Sequence, residues 1–466
     1  MADSFGRTKI TTDVDEITSE NILQVLSRAN GTFEANLADM ENLWAYYTGE
    51  QAIQGRTKEV REDILNIITE NRCKEITDFK VGYRCEGPVV YVARKQDYNE
   101  QVNRLNDYLL AEGRASKDRT TYFYQSVFGT AYKMALADSE IIEHTGRLEF
   151  DADEAPFELF AVDPRKAFVI YSTGIGEKPM AGVYRVVPNT GAPRFTVYTE
   201  KEYFKIANSE VVERGVNGYG MIPIVEYPNN EARLGDFEAI LSLQDALNTI
   251  DSNRLDGIEQ FIQSLIILTN CDLPEGTTAA KLMQTGILKV RSNSELQANV
   301  KILAEQLDQS QTQTLKEDLK SAIVEISAMP NRSTNAASGD TGLAVMYRNG
   351  WNAAEAAAQS SEIIYRESEL ELLKVILKIC TDLNALSLNQ SAVDVKFTRR
   401  NHWDMESKVN VFTKMLDNAK VDPKLAYIYS DLFADPEEAY AQSLPYIERA
   451  LEMEDTAKAD SSQRSE

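Results

Sequence analysis

Residues 236–262 decide the fold, and they read DFEAILSLQDALNTIDSNRLDGIEQFI. Asp236 is a candidate N-cap, and apolar side chains then recur at helical spacing from Phe237 to Phe261. One helix over this stretch would be roughly 40 Å long at 1.5 Å per residue. Helices in ordinary domains average about 11–12 residues, so the sequence predicts an architecture built around an unusually long helix.

A second long helix is predicted over 305–330, and it ends there because Pro330 cannot continue it. Residues 263–304 separate the two helices and are expected to form a small α/β module, with short strands at 265–268 and 286–290. The two long helices therefore bracket a compact tip.

The remaining sequence predicts an α+β, helix-rich chain. Short runs rich in β-branched and aromatic residues predict strands at 88–92, 157–161, 167–171, 182–187, 195–199, 202–207 and 393–398. Helical spacing predicts helices at 22–26, 33–47, 64–79, 103–112, 117–128, 343–386 and 405–453. We expect one twisted sheet with helices on one side. Small polar residues at 331–342 cannot bury themselves and predict a mobile loop.

The chain of 466 residues is acidic, with 49 Lys+Arg against 73 Asp+Glu and a formal net charge of −24. The excess is concentrated at the ends, since residues 1–50 carry 3 − 9 = −6 and residues 431–466 carry 3 − 10 = −7. Because proteins that bind nucleic acids usually present a basic surface, this composition argues against tight binding of DNA or RNA. No apolar run reaches the roughly 18–20 residues of a membrane span, and the first ten residues lack a signal-peptide core, so we expect a cytosolic product.

The sequence contains none of the common nucleotide-binding or hydrolase motifs, and it has only 2 His. Acidic clusters at 151–154, 367–371 and 435–438 could each supply a carboxylate pair for glycoside hydrolysis or for binding Mg²⁺, but in a chain this acidic we favour solvated faces and caps. His402 beside Trp403 could be a ligand or a stacking site, although a packed or partly exposed histidine is the favoured interpretation. The 4 Cys are scattered and read as small buried apolar residues. We therefore predict no catalytic, cofactor-binding or metal-binding residue.

Several short motifs follow one another along the chain. They are WAYYTGEQ (44–51), NRCKEI (71–76), FGTAY (128–132), PIVEYPNNE (223–231), GDFE (235–238) and DALN (245–248). Each motif alone is weak. In this order and spacing they resemble the portal protein family of long-tailed double-stranded DNA bacteriophages, the type common in phages of Gram-positive bacteria, over roughly residues 30–400.

The resemblance implies a ring of subunits, usually twelve, at one vertex of the capsid. It divides this chain into a wing (1–235, completed by 343–403), two stem helices (236–262 and 305–330), a clip (263–304), a tunnel loop (331–342), a crown (404–456) and a disordered tail (457–466). Apolar residues on more than one face of the first stem helix, such as Leu241 beside Leu243, are consistent with packing against a neighbouring copy.

The resemblance also implies where functional residues lie. The tunnel loop, which lines the DNA channel, would contribute Asn331, Arg332, Ser333, Thr334, Asn335, Ser338, Gly339 and Asp340. The clip, which docks the terminase and the adaptor, would contribute Glu275, Lys281, Lys289 and Arg291. The cations Arg332, Lys289 and Arg291 either touch DNA phosphates transiently or pair with acidic residues across the ring, and the sequence favours neither.

The implied function is a non-enzymatic conduit without cofactors, through which double-stranded DNA passes during packaging and ejection. Its implied partners are other copies of the chain, the terminase, head–tail connector (adaptor) proteins, and the major capsid and scaffolding proteins, with no membrane. The implied location is the virion, and the host cytoplasm during assembly. Two rival readings are an acidic hydrolase with a carboxylate pair and a monomeric helical adaptor without a role on DNA.

Overall fold

The computed structural model describes residues 6–59, 62–137, 154–262, 265–269, 299–303, 309–331, 350–397, 405–418, 420–430, 432–433, 436–447 and 449. The chain divides into two compact units. The sheet unit comprises Met1–Trp44, Glu75–Ala239 and Ala328–Glu466, and the helix-pair unit comprises Ala45–Lys74 and Ile240–Ser327. The predicted α+β, helix-rich fold class is confirmed.

Helices supply most of the regular structure. They are α1 (Ile22–Thr48), α2 (Arg72–Arg84), α3 (Asn99–Ala111), α4 (Arg114–Phe128), α5 (Leu241–Ile262), α6 (Gln309–Ile326), α7 (Trp351–Asp382), α8 (Met405–Leu416) and α9 (Pro423–Tyr429). Residues 436–447 are also helical. The two runs predicted at 22–26 and 33–47 form the single helix α1, and Gly49 follows it with a φ of +97°, a left-handed conformation that glycine adopts without steric cost.

The strands are short. They are β1 (Thr11–Thr12), β2 (Val90–Ala93), β3 (Thr130–Ala137), β4 (Phe157–Val162), β5 (Ala167–Ser172), β6 (Pro179–Val186), β7 (Arg194–Tyr198), β8 (Glu202–Ala207), β9 (Glu210–Val216), β10 (Ile224–Pro228), β11 (Leu265–Thr269), β12 (Asn299–Leu303) and β13 (Val393–Lys396). Six of the seven strands predicted for the sheet unit closely overlap observed strands. The seventh, predicted at 88–92, is observed slightly later in the chain, as β2.

The prediction of one sheet was wrong, because the strands of the sheet unit fall into three sheets. The largest has the order β1-β5-β6-β7-β8-β9 and is antiparallel apart from the parallel β1–β5 pair. A second sheet has the order β10-β3-β4, and β13 pairs with β2 in a third. The sequence did not reveal β3, because six of its eight residues are buried, so it shows no alternation, and its sequence TAYKMALA also lacks the run of β-branched residues that revealed β5.

Two hydrophobic clusters stabilise the sheet unit. In one, α1 lies against the six-stranded sheet, where Phe33 stacks on Phe168 with ring centroids 4.6 Å apart. In the other, α7 packs over β3, β10 and the β13–β2 pair, with Leu373 and Ile376 fully buried. No described residue of the helix-pair unit belongs to either cluster.

The helix-pair unit contains α5, α6 and the antiparallel pair β11–β12. The helix α5 has 22 residues and is therefore about 33 Å long, but it begins at Leu241 and not at Asp236. The predicted N-cap was wrong because the carboxylate of Asp236 is enclosed in the sheet unit, where it accepts hydrogen bonds from Lys80 at 3.3 Å and Asn229 at 3.1 Å. The strand predicted at 286–290 lies outside the described residues.

The helix predicted at 64–79 was also wrong in its first half. Residues 64–71 have no regular secondary structure, and α2 begins only at Arg72. We call residues 64–71 the strap. Its backbone hydrogen bonds go to side chains of α5, which explains why the apolar spacing of this stretch does not produce a helix.

Candidate functional site

The residues predicted to line the channel and the clip lie almost entirely outside the described part of the chain. This applies to Arg332, Ser333, Thr334, Asn335, Ser338, Gly339, Asp340, Glu275, Lys281, Lys289 and Arg291. Asn331 is described and is partly buried after the end of α6. These assignments stay predictions. The candidate site is built instead from the described residues of the helix-pair unit, which contains the positions predicted for the clip.

The strap is held against α5 by a row of side chains that we call the polar ladder: Gln244, Asn248, Ser252 and Asp256. Each accepts a hydrogen bond from a backbone N–H of the chain alongside it. The bonds run from Arg72 N to Gln244 Oε1 at 3.1 Å, Glu70 N to Asn248 Oδ1 at 2.9 Å, Ile68 N to Ser252 Oγ at 3.0 Å and Asn66 N to Asp256 Oδ1 at 2.8 Å.

The ladder can form because the repeat of the helix matches the repeat of the extended strap. Four residues of an α-helix advance about 6.0 Å, and two residues of an extended chain advance about 6.6 Å. Every fourth side chain of α5 therefore meets every second N–H group of the strap, and the two run in opposite directions. All four ladder side chains are buried, so each removes a backbone donor from water and satisfies it at once.

Further contacts fix the ladder side chains themselves. Gln244 Nε2 donates to the carbonyl of Glu70 at 2.8 Å and to Asn248 Oδ1 at 2.9 Å. Asn248 Nδ2 donates to Gln51 Oε1, and Tyr46 donates its hydroxyl to Asp245 at 2.9 Å. Nearly every polar group here has one specific partner, so the register between strap and helix is strongly specified.

Glu70 connects the strap to both long helices. Its carboxylate pairs with Lys316 at 3.2 Å and Lys320 at 2.7 Å on α6, and with Arg72, while Lys316 also pairs with Asp251 on α5 at 2.6 Å. Burial acts to raise the pKa of Glu70, but the hydrogen bond from Lys320 and the charge of Arg72 outweigh it and lower the pKa to about 2. The carboxylate is therefore fully charged near neutral pH.

Asp256, at the other end of the ladder, is also held by cations. It forms ion pairs with Arg56 at 2.8 Å and with Lys58. Burial acts to raise its pKa, and the hydrogen bond from Lys58 with those from Asn66 lowers it to about 2. The described cationic side chains of this unit all contact groups of their own chain; they are Arg56, Lys58, Arg72, Lys74, Arg254, Lys316 and Lys320.

Apolar side chains of the same unit are left facing outwards. Leu315 is 50% exposed and Ile326 is 55% exposed, and the others are Leu65, Ile67 and Ile258. An open groove of about 470 Å³ lies between the strap, α5 and α6, lined by Ile68, Leu255 and Ile258 as well as by charged side chains. A backbone held in one register beside an uncovered apolar surface is typical of a protein–protein interface.

The acidic cluster at 367–371 is not a carboxylate pair. Glu369 is buried in the sheet unit, where it pairs with Lys133 at 3.1 Å and with Arg114, and where Tyr227 and Tyr91 donate to it at 2.7 and 2.9 Å. Burial acts to raise its pKa, and the charges of Lys133 and Arg114 lower it to about 2. Glu371 is exposed and pairs with Lys374. The predicted solvated face is therefore correct for the exposed Glu367 and Glu371 and was wrong for Glu369, which is buried among cations and tyrosines.

We also searched the described part of the chain for metal sites, membrane-spanning helices and exposed cysteines. No group of three or more His, Cys, Asp or Glu side chains there could hold a metal ion. None of the helices described combines the length and apolar character needed to cross a bilayer. Of the cysteines described, Cys73 and Cys380 are buried as expected and Cys85 is half-buried.

The sequence interpretation missed the polar ladder altogether. Its signal was present as polar residues at a spacing of four in a helix that is otherwise apolar at helical spacing. Counting apolar positions alone treats such residues as the solvated face, although all four are buried.

Comparison with known proteins gives a family for this chain. Residues 28–458 match the family model described as phage portal protein, SPP1 Gp6-like. No curated protein matches. Similar solved structures include the neck of an empty GTA particle computed with C6 symmetry, with a TM-score of 0.42, 11% identity and coverage of 77% of this chain and 90% of the other.

A second is the neck of a native GTA particle computed with C12 symmetry, with a TM-score of 0.41, 12% identity and coverage of 77% and 88%. These two likenesses are distant, whereas the family model spans most of the chain. The chain therefore belongs to the SPP1 Gp6-like family of phage portal proteins.

Proposed function

We propose that copies of this chain assemble into a ring of twelve at one vertex of a phage capsid, and that double-stranded DNA passes through its channel during packaging and ejection. Family membership supports the portal role. The observation that carries the ring is the helix-pair unit, which leaves Leu65, Ile67, Ile258, Leu315 and Ile326 uncovered and has no hydrophobic cluster among its described residues.

A ring covers such surface efficiently. In a head-to-tail contact, one face of a subunit meets a different face of the next, and the contact closes on itself when the rotation divides a full turn. A pair of long helices can then contribute one face to each neighbour. The polar ladder keeps the two faces at fixed positions, because it locks the strap and α5 in register before the copies meet.

The charge distribution supports passage of DNA without retention. Each cation that neutralises a phosphate adds affinity and a salt-dependent step. The cationic side chains described in the helix-pair unit already contact groups of the same chain, and the whole chain carries −24. We therefore expect weak binding of duplex DNA with a shallow dependence on salt.

The remaining roles follow the family. The helix-pair unit would supply the stem and the clip, and the clip would dock the terminase and then the adaptor proteins. The sheet unit would be the wing, which contacts the major capsid and scaffolding proteins, and residues 331–342 would be the tunnel loop. The protein would act in the virion without catalysing a reaction, and the terminase would supply the energy.

Native mass spectrometry with negative-stain imaging tests the ring. We expect a uniform ring of about twelve copies with a central hole, and a stable monomer would contradict the proposal and favour the adaptor reading. Leu315→Ser with Ile326→Ser should shift the population towards monomers, because both side chains are placed at the contact between copies. The matched control is Ile175→Ser, which alters a fully exposed isoleucine at a hairpin tip of the sheet unit and should leave the ring intact.

The DNA part of the proposal has its own test. The dissociation constant of the ring for a short duplex is measured at several salt concentrations, and the slope of log K against log salt is expected to be shallow because few phosphates are neutralised. A steep slope would contradict passage through a weakly interacting channel. Hydrolysis of a glycoside or phosphate substrate by the purified ring would instead favour the hydrolase reading.

A further inference from the structure

Two neighbouring points of the sheet unit flank the predicted tunnel loop. Residues 328–331 lie on one side of it in the chain, and Met329 and Pro330 are buried there. On the other side, a Cβ atom added to Gly350 would lie 3.8 Å from the carbonyl oxygen of Met329 and 4.0 Å from Cα of Pro330. The chain therefore leaves for residues 332–349 and returns from them at nearly the same place.

Helix α2 supports the returning end. Phe79 and Tyr83 stand one turn apart on this helix, and their rings stack with centroids 5.8 Å apart. Trp351 is the first residue of α7, and its ring centroid lies 5.9 Å from that of Phe79 and 6.2 Å from that of Tyr83. These distances are within the range in which aromatic rings attract one another. We call these three side chains the aromatic clamp.

Ala328 brings the departing end to the same helix. It lines a gap of about 10 Å³ together with the rings of Phe79 and Tyr83 and two alanines of α7, Ala354 and Ala358. A gap of this size is at the lower limit for one water molecule, so these side chains pack on one another almost without space. Both alanines are buried, and their small side chains allow α7 to approach α2 closely.

Polar contacts fix the first turn of α7. Tyr83 donates its hydroxyl to Glu355 Oε2 at 2.5 Å. The carbonyl of Gly350 accepts from the N–H groups of Ala353 at 3.1 Å and Ala354 at 3.3 Å. Gly350 has a φ of +76°, which glycine adopts without steric cost. The start of α7 is thus closed on Gly350 and tied to α2 by rings and by a hydrogen bond.

We propose that the aromatic clamp positions the tunnel loop, because Trp351, held by Phe79 and Tyr83, fixes the point at which the chain returns from it. Force that passing DNA exerts on the loop would then be carried by α2 and α7. This inference rests on the proposed function, since it assumes that residues 331–342 face the DNA. Trp351 would act on DNA only through the loop and is therefore a positioning residue.

The first measurement is amide exchange in the dissociated chain. Trp351→Ala should accelerate exchange at Ala353 and Ala354 by about ten-fold, because the ring contacts that hold the first turn of α7 are lost. Trp351→Phe keeps a ring at this position and should restore most of the protection. Asn352→Ala changes the exposed neighbour and is the matched control. Unchanged exchange in β6 to β8 shows that each variant is folded.

The second measurement follows contact with DNA in the assembled ring. A photocrosslinker is attached through Ser338→Cys, and its crosslinking to a short duplex is compared among rings with the same number of copies. We expect crosslinked DNA with the clamp intact, several-fold less with Trp351→Ala, and recovery with Trp351→Phe. Tyr83→Phe keeps the ring, removes the hydroxyl that bonds Glu355, and should have a smaller effect.

Two controls define the background of crosslinking. The same label attached through Ile175→Cys, at a fully exposed hairpin tip of the sheet unit, should give no crosslinked DNA. Rings without an introduced cysteine measure the labelling of the native cysteines.

The outcomes separate this inference from the proposed function. Equal crosslinking with and without Trp351→Ala, unchanged exchange at Ala353 and Ala354, or a loss that Trp351→Phe does not restore would each overturn the clamp and leave the ring standing. No crosslinking from position 338 with the clamp intact would overturn the placement of the tunnel loop and the clamp with it. A chain that stays monomeric would overturn the ring and this inference together.

Discussion

The two units of the chain are stabilised by different means. The sheet unit has two hydrophobic clusters, whereas the helix-pair unit buries as many polar as apolar side chains among those described. The buried polar ones are Gln51, Gln244, Asn248, Asp251, Ser252, Asp256 and Ser327, and the apolar ones are Tyr46, Ile53, Ile64, Cys73, Ile240, Leu247 and Ile323. Apolar burial supplies stability, while hydrogen bonds that replace bonds to water add only about 0.5–1.5 kcal/mol each and mainly specify geometry.

This difference suggests that the two units have different roles. The sheet unit has the hydrophobic clusters that a domain needs to fold alone. The helix-pair unit has its strap and helices held in one register by the polar ladder, yet its apolar surface stays uncovered, so part of its stability would come from neighbouring copies. The following predictions test that comparison, from the largest expected effect on the dissociated chain to the smallest.

In the sheet unit, Glu369→Ala should lower the free energy of unfolding by about 3–5 kcal/mol, because it leaves Lys133 and Arg114 buried without their carboxylate. Urea unfolding of the dissociated chain measures the loss. The control Glu371→Ala removes an exposed carboxylate two residues away and should cost less than about 1 kcal/mol. Equal effects would mean that the buried network contributes nothing special.

In the helix-pair unit, Asn248→Ala should cost about 1–3 kcal/mol, because it removes the buried amide that accepts from the N–H of Glu70. Thr249→Ala is the matched control, since this neighbouring hydroxyl is exposed and bonds only within α5. Amide exchange at Glu70 should accelerate in the first variant and not in the second. An unaffected Glu70 amide would show that the ladder does not hold the strap.

Acid should weaken the helix-pair unit through Glu70 and Asp256. The pKa of each is lowered, to about 2, from ordinary values of 4.5 and 3.8. A lowered carboxylate pKa gives stability that is fully present above the ordinary value and is lost as the pH falls towards about 2. Stability followed from pH 5 to pH 2 should therefore fall less steeply in Glu70→Gln, while Asp318→Asn, an exposed position on α6, should retain the full slope.

The smallest effect is expected from Leu315→Ser. The side chain is half exposed, so the substitution should change the unfolding free energy of the dissociated chain by less than about 0.5 kcal/mol. The same substitution is expected to weaken the ring, where the side chain would be covered. A loss above about 1 kcal/mol in the dissociated chain would show that Leu315 is already part of a core.

The sequence predicted the elements that carry a clear apolar pattern. Strand β8 alternates between buried and partly exposed residues, β5 is a run of apolar residues, and α3 shows apolar side chains at helical spacing, so these patterns located them. It failed where tertiary contacts override local preference. Ile64 and Ile68 stand at helical spacing, but the backbone between them bonds to side chains of α5, a partner almost two hundred residues away.

Asp236 shows the same limit at a helix end. It has the character of an N-cap, yet Lys80, Arg84 and Asn229 take up its carboxylate, and α5 starts at Leu241. The proposed channel and clip residues were inferred from a family resemblance and not from packing. They therefore remain predictions of the sequence.

Hydrogen exchange on the assembled ring and on the dissociated chain tests the central claim most directly. We predict that amides of the strap, α5 and α6 exchange at least ten-fold more slowly in the ring, because neighbouring copies would cover this unit. Amides of β5 to β8, in the sheet unit, should exchange at the same rate in both states. Equal protection of the helix-pair unit in both states would show that it is complete on its own and would contradict the account.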